Sequence, residues 1–288
     1  MLFELNRESP VIVQGITGRM GQKHAALMRR YGTRVVGGTG SIHSGERQDF
    51  SIYANCTEAV RATGAVASIA LVPPQAALDA VREAVEAGLK VVVTVAEGVP
   101  VHDALHIREI TRAAHVTWVG PSTPGLCIPG QIKLGFLPDV SIAPGAIGIM
   151  SKSGTLSYEV GRRLVARGLG QSAWIGVGGD PVKGVRFADL AAGFAAHAAT
   201  RAVLLIGEIG GNEEEEFADA WASLGAPKPA YALIAGAQAK EGVTMGHAGA
   251  LVLGERGSWV SKQKSLRSAG VQVFDSLGTL VDAIARAI

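Results

Sequence analysis

Cysteine is scarce in this chain: Cys56 and Cys127 are the only two among 288 residues. Two thiols so far apart offer neither a disulfide framework nor a CxxC metal site, and they fit a reducing compartment. An excess of one charge sign is missing too. The 27 basic and 25 acidic residues leave a formal net charge of +2, spread so evenly that nothing calls for nucleic acid or a membrane surface. No apolar run reaches membrane-spanning length. The opening "MLFELNRESP" lacks the basic segment, apolar run and cleavage site of a secretory signal, so a cytoplasmic protein is expected. Aromatic residues make up only 5%, whereas glycine contributes 38 residues, which suggests tight turns and close helix-to-sheet packing. The 48% hydrophobic content allows a full core in one large domain or two ordinary ones.

Short apolar runs alternate with amphipathic stretches over most of the length. "VIVQG", "TRVVGG", "ASIALVPP", "KVVVTVAEG" and "VTWVGP" are rich in valine and isoleucine and close on glycine or proline, as buried parallel strands do. Between them lie helical patterns such as Gln75 to Ala87, whose apolar positions recur three and four residues apart. This alternation predicts a doubly wound α/β sheet. A segment interrupted by Pro124, Pro129, Pro138 and Pro144 then breaks the pattern. A second series follows: "AIGIMS", "SAWIGVGGD", "AVLLIGEIGG", "AYALIAG" and "VQVFDS". The expectation is two α/β domains, 1–122 and 146–288, joined by a proline-rich linker at 123–145.

The strand "VIVQG" runs into "GITGRMGQKHAALMRR", with Gly15, Gly18 and Gly21 spaced three apart before a helix. Such a turn exposes backbone N–H groups at a helix N-terminus and attracts phosphate. If the ligand were NAD, an acid should close the second strand to bind the ribose hydroxyls. Gly38 and Thr39 stand there instead, which disfavours a nicotinamide oxidoreductase. Glu97 lies at the C-terminal end of a strand, where such sheets bind ligands and where an exposed turn acid is equally at home.

In "MSKSGTLSYEVGRRL", Ser153 and Gly154 precede a helix starting near Thr155, either as an ordinary serine N-cap or as a second anion site. Glu208 ends an apolar strand, where a carboxylate needs a partner. The run Glu213 to Glu216 is expected to be the solvated first turn of the next helix, without chemistry. Within "VTMGHAGALV", His247 is flanked by glycines that offer it almost no side chain to pack against, so an accessible loop is expected. A carboxylate bonded to one imidazole nitrogen leaves the other as a nucleophile and steadies the cation formed when it takes a phosphoryl group. The combination of helix start, Glu208 and His247 therefore suggests a phosphate-carrying histidine. His102 and His106 are four apart, the spacing of a two-histidine zinc helix, but the motif's glutamate is missing and no third ligand is evident. No metal site is expected.

Taken together and in order, "GITG", "SKSGTLSYE", "GVGGDPVKG", "IGEIGG" and "MGHAGA" resemble the α subunit of succinyl-CoA synthetase, or succinate–CoA ligase, over essentially the whole chain. The resemblance implies an N-terminal Rossmann-like domain that binds coenzyme A and a flavodoxin-like second domain that carries a phosphohistidine. It implies His247 as the phosphorylated residue, Glu208 as its orienting carboxylate, Ser153 and Gly154 at the phosphate, and Tyr158 near the acid substrate. Coenzyme A would sit on Thr17, Gly18, Arg19 and Met20, with His43, Val95, Ala96 and Glu97 contributing. Missing from the chain is a GxxxxGK[ST] phosphate loop. The resemblance accounts for this by placing ATP or GTP, with magnesium, on a separate ATP-grasp β subunit in a heterodimer or heterotetramer.

Two departures stand out. Where the family carries "TPGKGG", with a lysine near the CoA phosphates, this chain reads "TGSIHSGE" and puts His43 there; Arg19 could compensate for the lost charge. Where the family has "GPNCPG", this chain has "GPSTPG", with Thr123 in place of cysteine. The resemblance makes succinate the leading substrate, with malate, citrate or another acid behind it, and the altered CoA loop keeps a CoA-binding protein without turnover as the alternative class.

Overall fold

The computed structural model describes residues 2–41, 49–238, 246–252 and 257–288. The chain divides into two compact units. The first comprises residues 1–136 and takes back 182–184, and the second holds 137–181 and 185–288.

The first unit is a doubly wound sheet of six parallel strands: β1 (Val11–Gln14), β2 (Val35–Thr39), β3 (Ile52–Tyr53), β4 (Ala67–Ala70), β5 (Val91–Thr94) and β6 (Thr117–Val119). Their spatial order, β3-β2-β1-β4-β5-β6, is that of a dinucleotide-binding sheet, with its reversal of direction beside β1. Strands β1, β4 and β5 are buried at every position, which is why they read as continuous apolar runs and not as alternating ones. Helices α1 (Arg19–Tyr31), α2 (Cys56–Thr63), α3 (Ala77–Glu86) and α4 (Val101–Ala113) cover the faces. Ile12, Val92, Val81, Ala84, Ile107 and Trp118 meet in the core on one side. The stretch expected as a linker contributes an antiparallel hairpin to this unit, β7 (Gly125–Ile128) with β8 (Ile132–Gly135). Thr33 fastens the hairpin through bonds to the carbonyl and amide of Lys133 at 2.8 and 2.9 Å. Both cysteines are buried. Burial, followed by the charge of Glu83, pushes the Cys56 thiol far above its ordinary titration range.

The second unit has five parallel strands: β9 (Pro144–Ser151), β10 (Gln171–Gly176), β11 (Ala202–Glu208), β12 (Ala230–Ala235) and β13 (Gln272–Phe274). They pair in the order β10-β9-β11-β12-β13, the flavodoxin-like arrangement. Around them lie α5 (Gly154–Val165), α6 (Phe187–Ala196), α7 (Glu213–Ser223), α8 (Trp259–Ser268) and α9 (Leu277–Ala287). Because the strands run parallel, β9 and β11 deliver their C-terminal ends, Ser151 and Glu208, to the same edge, where such sheets bind ligands.

Candidate active site

Two constellations stand at strand ends, one in each unit. In the first unit β1 turns at Gly15, whose φ of +78° suits glycine, and any Cβ there would lie 2.6 Å from the Leu71 carbonyl. Gly21 lets α1 sit directly on this turn, since a Cβ on it would fall 2.0 Å from the Gly15 oxygen. The start of α1 is thereby aimed over the sheet edge, where its first amides have no intrahelical acceptor. Gly18, Arg19, Met20 and Gly21 form one wall of a pocket of about 450 Å³, with Leu71, Val72, Pro73, Val95, Ala96 and Phe136 as the others. Five of the residues expected to hold coenzyme A, namely Gly18, Arg19, Met20, Val95 and Ala96, thus share one cavity. Thr17 lies just before it, its carbonyl accepting from Gln22 Nε2 at 3.1 Å, while Glu97 is exposed beyond the end of β5 and does not line it. His43 lies outside the described residues. The apolar lining from Leu71 to Pro73 and from Phe136 carries no motif and was not legible beforehand, although Met20, 47% exposed at the rim, belongs to the same apolar wall.

In the second unit His247 Nδ1 lies 2.6 Å from Glu208 Oε2. The carboxylate is held by the end of β11 and is only 7% exposed, so the partner its burial requires is the imidazole. The ring rests flat on Gly179, where a Cβ would come within 2.5 Å of His247 Cγ. The histidine loop closes on Gly210 in the same way, for a Cβ there would lie 2.2 Å from the Gly249 oxygen. The glycines of "GVGGD" and "IGEIGG" therefore supply flat backbone against which the loop packs, and the histidine is half-buried.

Ser153 is the N-cap of α5, which begins at Gly154, one residue before the expected start, and its hydroxyl accepts from Leu156 N at 3.2 Å. The Ser153 amide bonds to Ser151 Oγ at 3.0 Å. The amides of Gly154 and Thr155 belong to the helix's first turn, where the backbone dipole adds positive potential. Tyr158, one turn on, stands against Trp174 with ring centroids 6.3 Å apart, and its burial raises the phenol's titration.

The acid run Glu213 to Glu216 corrects the expectation of a solvated turn. Glu213, Glu214 and Glu215 are buried, because consecutive helical residues turn through the whole circumference and some must face inward. Lys152, at the end of β9, lies 3.0 Å from Glu214 and 3.6 Å from Glu213. Lys262, on α8, also binds Glu214 and donates to the Gly210 carbonyl at 2.7 Å. Glu215 Oε1 accepts from Gly257 N and Ser261 Oγ, both at 3.1 Å. Arg186 meets Glu216 at 2.7 Å. Burial alone would raise the Glu214 carboxyl, but the ammonium groups of Lys152 and Lys262 outweigh it and hold it well below the usual range. Burial likewise opposes charge on Lys152, and the glutamates outweigh it in turn. Gly207 makes room for this cluster, since a Cβ on it would lie 2.5 Å from Glu214 Oε1.

Among the described residues no group of three or more histidine, cysteine or acidic side chains is placed to hold a metal, and no helix is long and apolar enough to cross a membrane.

Residues 6–98 match the CoA binding domain family and residues 150–272 match the CoA-ligase family. The chain is 40% identical over 289 residues to succinate–CoA ligase [ADP-forming] subunit alpha of Aquifex aeolicus, covering 99% of this chain and 94% of that one. It is 39% identical to malate–CoA ligase subunit alpha of Methylorubrum extorquens, with both chains fully covered. The structure of ATP citrate lyase from Methanothrix soehngenii in complex with citrate and coenzyme A superposes with a TM-score of 0.85 over 99% of this chain and 50% of its own. At 21% identity that likeness is one of fold.

Proposed function

This chain belongs to the succinate–CoA ligase alpha-subunit family, and we propose that it forms an acyl-CoA by way of a phosphorylated His247 and an acyl phosphate. Nucleotide-dependent acid–CoA ligation is the activity of the family, and its α subunits work with a partner subunit. The single observation that carries the mechanism is the 2.6 Å bond between His247 Nδ1 and Glu208 Oε2.

A ring whose Nδ1–H is given to a carboxylate carries its lone pair on Nε2. Nε2 attacks the γ-phosphorus of ATP or GTP, the bond to the bridging oxygen breaks, and the nucleoside diphosphate leaves. The ring becomes cationic, and Glu208 stabilises that charge. The start of α5, at Ser153 and Gly154, offers N–H groups and dipole potential to the phosphoryl oxygens. A carboxylate oxygen of the acid then attacks phosphorus, the N–P bond breaks with its electrons returning to Nε2, and an acyl phosphate results. Finally the CoA sulfur, having lost its proton, attacks the acyl carbon and inorganic phosphate departs. Splitting the reaction avoids direct attack of a thiolate on an unactivated carboxylate.

Coenzyme A is assigned to the first unit, on Gly18, Arg19, Met20, Val95 and Ala96, with Thr17 and Glu97 at the margins. The pocket of about 450 Å³ with an open helix start at one wall suits a long, phosphate-bearing ligand. Nucleotide and magnesium are assigned, on the family resemblance, to an ATP-grasp β partner, and the lack of a GxxxxGK[ST] loop in this sequence accords with that assignment. Tyr158 is assigned to the neighbourhood of the acid. Succinate is the substrate this reading favours, from the relatives that share its length; malate is the second candidate, from a relative of nearly equal identity.

Incubation with γ-labelled ATP or GTP and the natural partner subunit should give an acid-labile label that disappears in His247→Ala. Label surviving in that variant, or none in the wild-type complex, would refute the mechanism. A panel of dicarboxylic acids scored for CoA-dependent phosphate release then decides the acid.

A further inference from the structure

Behind the end of β11, a charged cluster that no motif of the sequence announced bonds to the backbone N–H of Glu208. Lys262 is a lysine of zero exposure on α8. Its ammonium donates to the Gly210 carbonyl at 2.7 Å and binds the Glu214 carboxylate. Glu214 Oε1 in turn accepts the backbone N–H of Glu208 at 3.1 Å. The segment from 208 to 210 is therefore gripped at both ends by one side chain, directly at Gly210 and through Glu214 at Glu208. The segment's third tie runs the same way, since Gly210 N donates to the Gly257 carbonyl at 2.8 Å, just ahead of α8.

A buried ammonium is costly to keep when packing alone is needed, because an apolar residue of similar volume would serve as well or better. Directional bonds to two acceptors supply something packing does not, a fixed angle for the strand end. That angle decides whether Glu208 reaches His247, since a carboxylate accepts well only over a narrow range of distance and direction.

We propose that Lys262, acting through Glu214 and the Gly210 carbonyl, is the positioning residue that holds the Glu208 carboxylate against His247 Nδ1. It touches neither substrate nor the reacting nitrogen. The inference deepens the phosphohistidine reading and rests on it for its kinetic consequence, while its geometric content concerns the ring alone.

The test compares wild-type protein with Lys262→Met and with the pair Lys262→Met and Glu214→Gln, which removes one charge of each sign, leaves Lys152 its Glu213 partner and keeps an acceptor for Glu208 N if the single variant does not fold. Histidine labelled with ¹⁵N reports which ring nitrogen of His247 carries the proton. The expected result is an Nδ1–H tautomer in the wild type that drifts towards Nε2–H in the variants as the carboxylate is released. In complex with the partner subunit, phosphorylation should slow by about 100-fold, the scale on which a misplacement of about 1 Å acts, with the KM for nucleotide unchanged. In a Glu208→Gln background the same Lys262 substitution should add little, because its target is already gone. A folded variant that keeps the wild-type tautomer, or slowing that persists undiminished in the Glu208→Gln background, overturns the proposal. A wild-type complex that takes no label counts against the phosphohistidine reading, and the tautomer measurement still decides the role of Lys262.

Discussion

At the residue scale the site depends on one side chain that is present and one that is absent. Replacing Glu208 with glutamine keeps the shape but leaves an amide that cannot stabilise the imidazolium, so phosphorylation should fall by about 100-fold or more in single-turnover labelling. An unchanged rate would remove Glu208 from the mechanism. Gly179 is the absent side chain. A methyl group there would lie 2.5 Å from His247 Cγ, and the half-buried ring is what can give way. Gly179→Ala should therefore leave thermal stability nearly intact while slowing phosphorylation by about 100-fold. Loss of both together would mean that the loop, and not the ring, had absorbed the clash. Glu208 and His247 were legible in the sequence because a carboxylate in an apolar strand and a histidine between glycines are each locally anomalous. The meeting of Gly179 with the ring was not, for it joins residues from two distant segments.

At the scale of elements, the strands were legible wherever a valine-rich run ended on glycine or proline. The two-residue β3 was too short to make such a run. The hairpin β7–β8 escaped because its surroundings contain Pro124, Pro129 and Pro138, which argue against a strand. The acid run of α7 was misread for a physical reason: its counter-charges are remote, with Lys152 and Lys262 standing 62 and 48 residues from Glu214. This cluster makes a pH prediction whose sign follows from its two members. Glu214 titrates lower in the folded state than in the unfolded one, so its contribution is complete above about pH 4.3 and is lost as pH falls towards 2. Lys152 titrates higher when folded, so its contribution is present below about pH 10.4 and is lost on the alkaline side. Urea unfolding should accordingly show stability falling steeply from pH 5 to pH 2. Lys152→Met should cost about 3–5 kcal/mol at pH 7 by leaving buried carboxylate under-compensated, and should flatten the acid limb. An acid limb of unchanged slope would place the titrating groups elsewhere.

At the scale of the whole molecule, each unit carries its own constellation: an apolar cavity under a glycine turn in the first, and a histidine with its carboxylate in the second. Placing a charge in the cavity wall should act on coenzyme A. Val95→Asp sets a carboxylate against a polyanionic ligand and should weaken binding by about tenfold or more in calorimetry; undiminished affinity would move coenzyme A to another surface. The division into two alternating α/β series was readable from periodicity alone, whereas the return of residues 182–184 to the first unit had no sequence signal. The sparse thiols have a bearing on selectivity. On the proposed mechanism the catalyst passes through an acyl phosphate and a thioester, electrophiles able to acylate any accessible sulfhydryl. Cys56 and Cys127 are both secluded, and Cys56 is kept protonated by burial and by Glu83, so it offers no thiolate to compete. The incoming cofactor's sulfur thereby meets no rival for the activated acid from either of the chain's own cysteines.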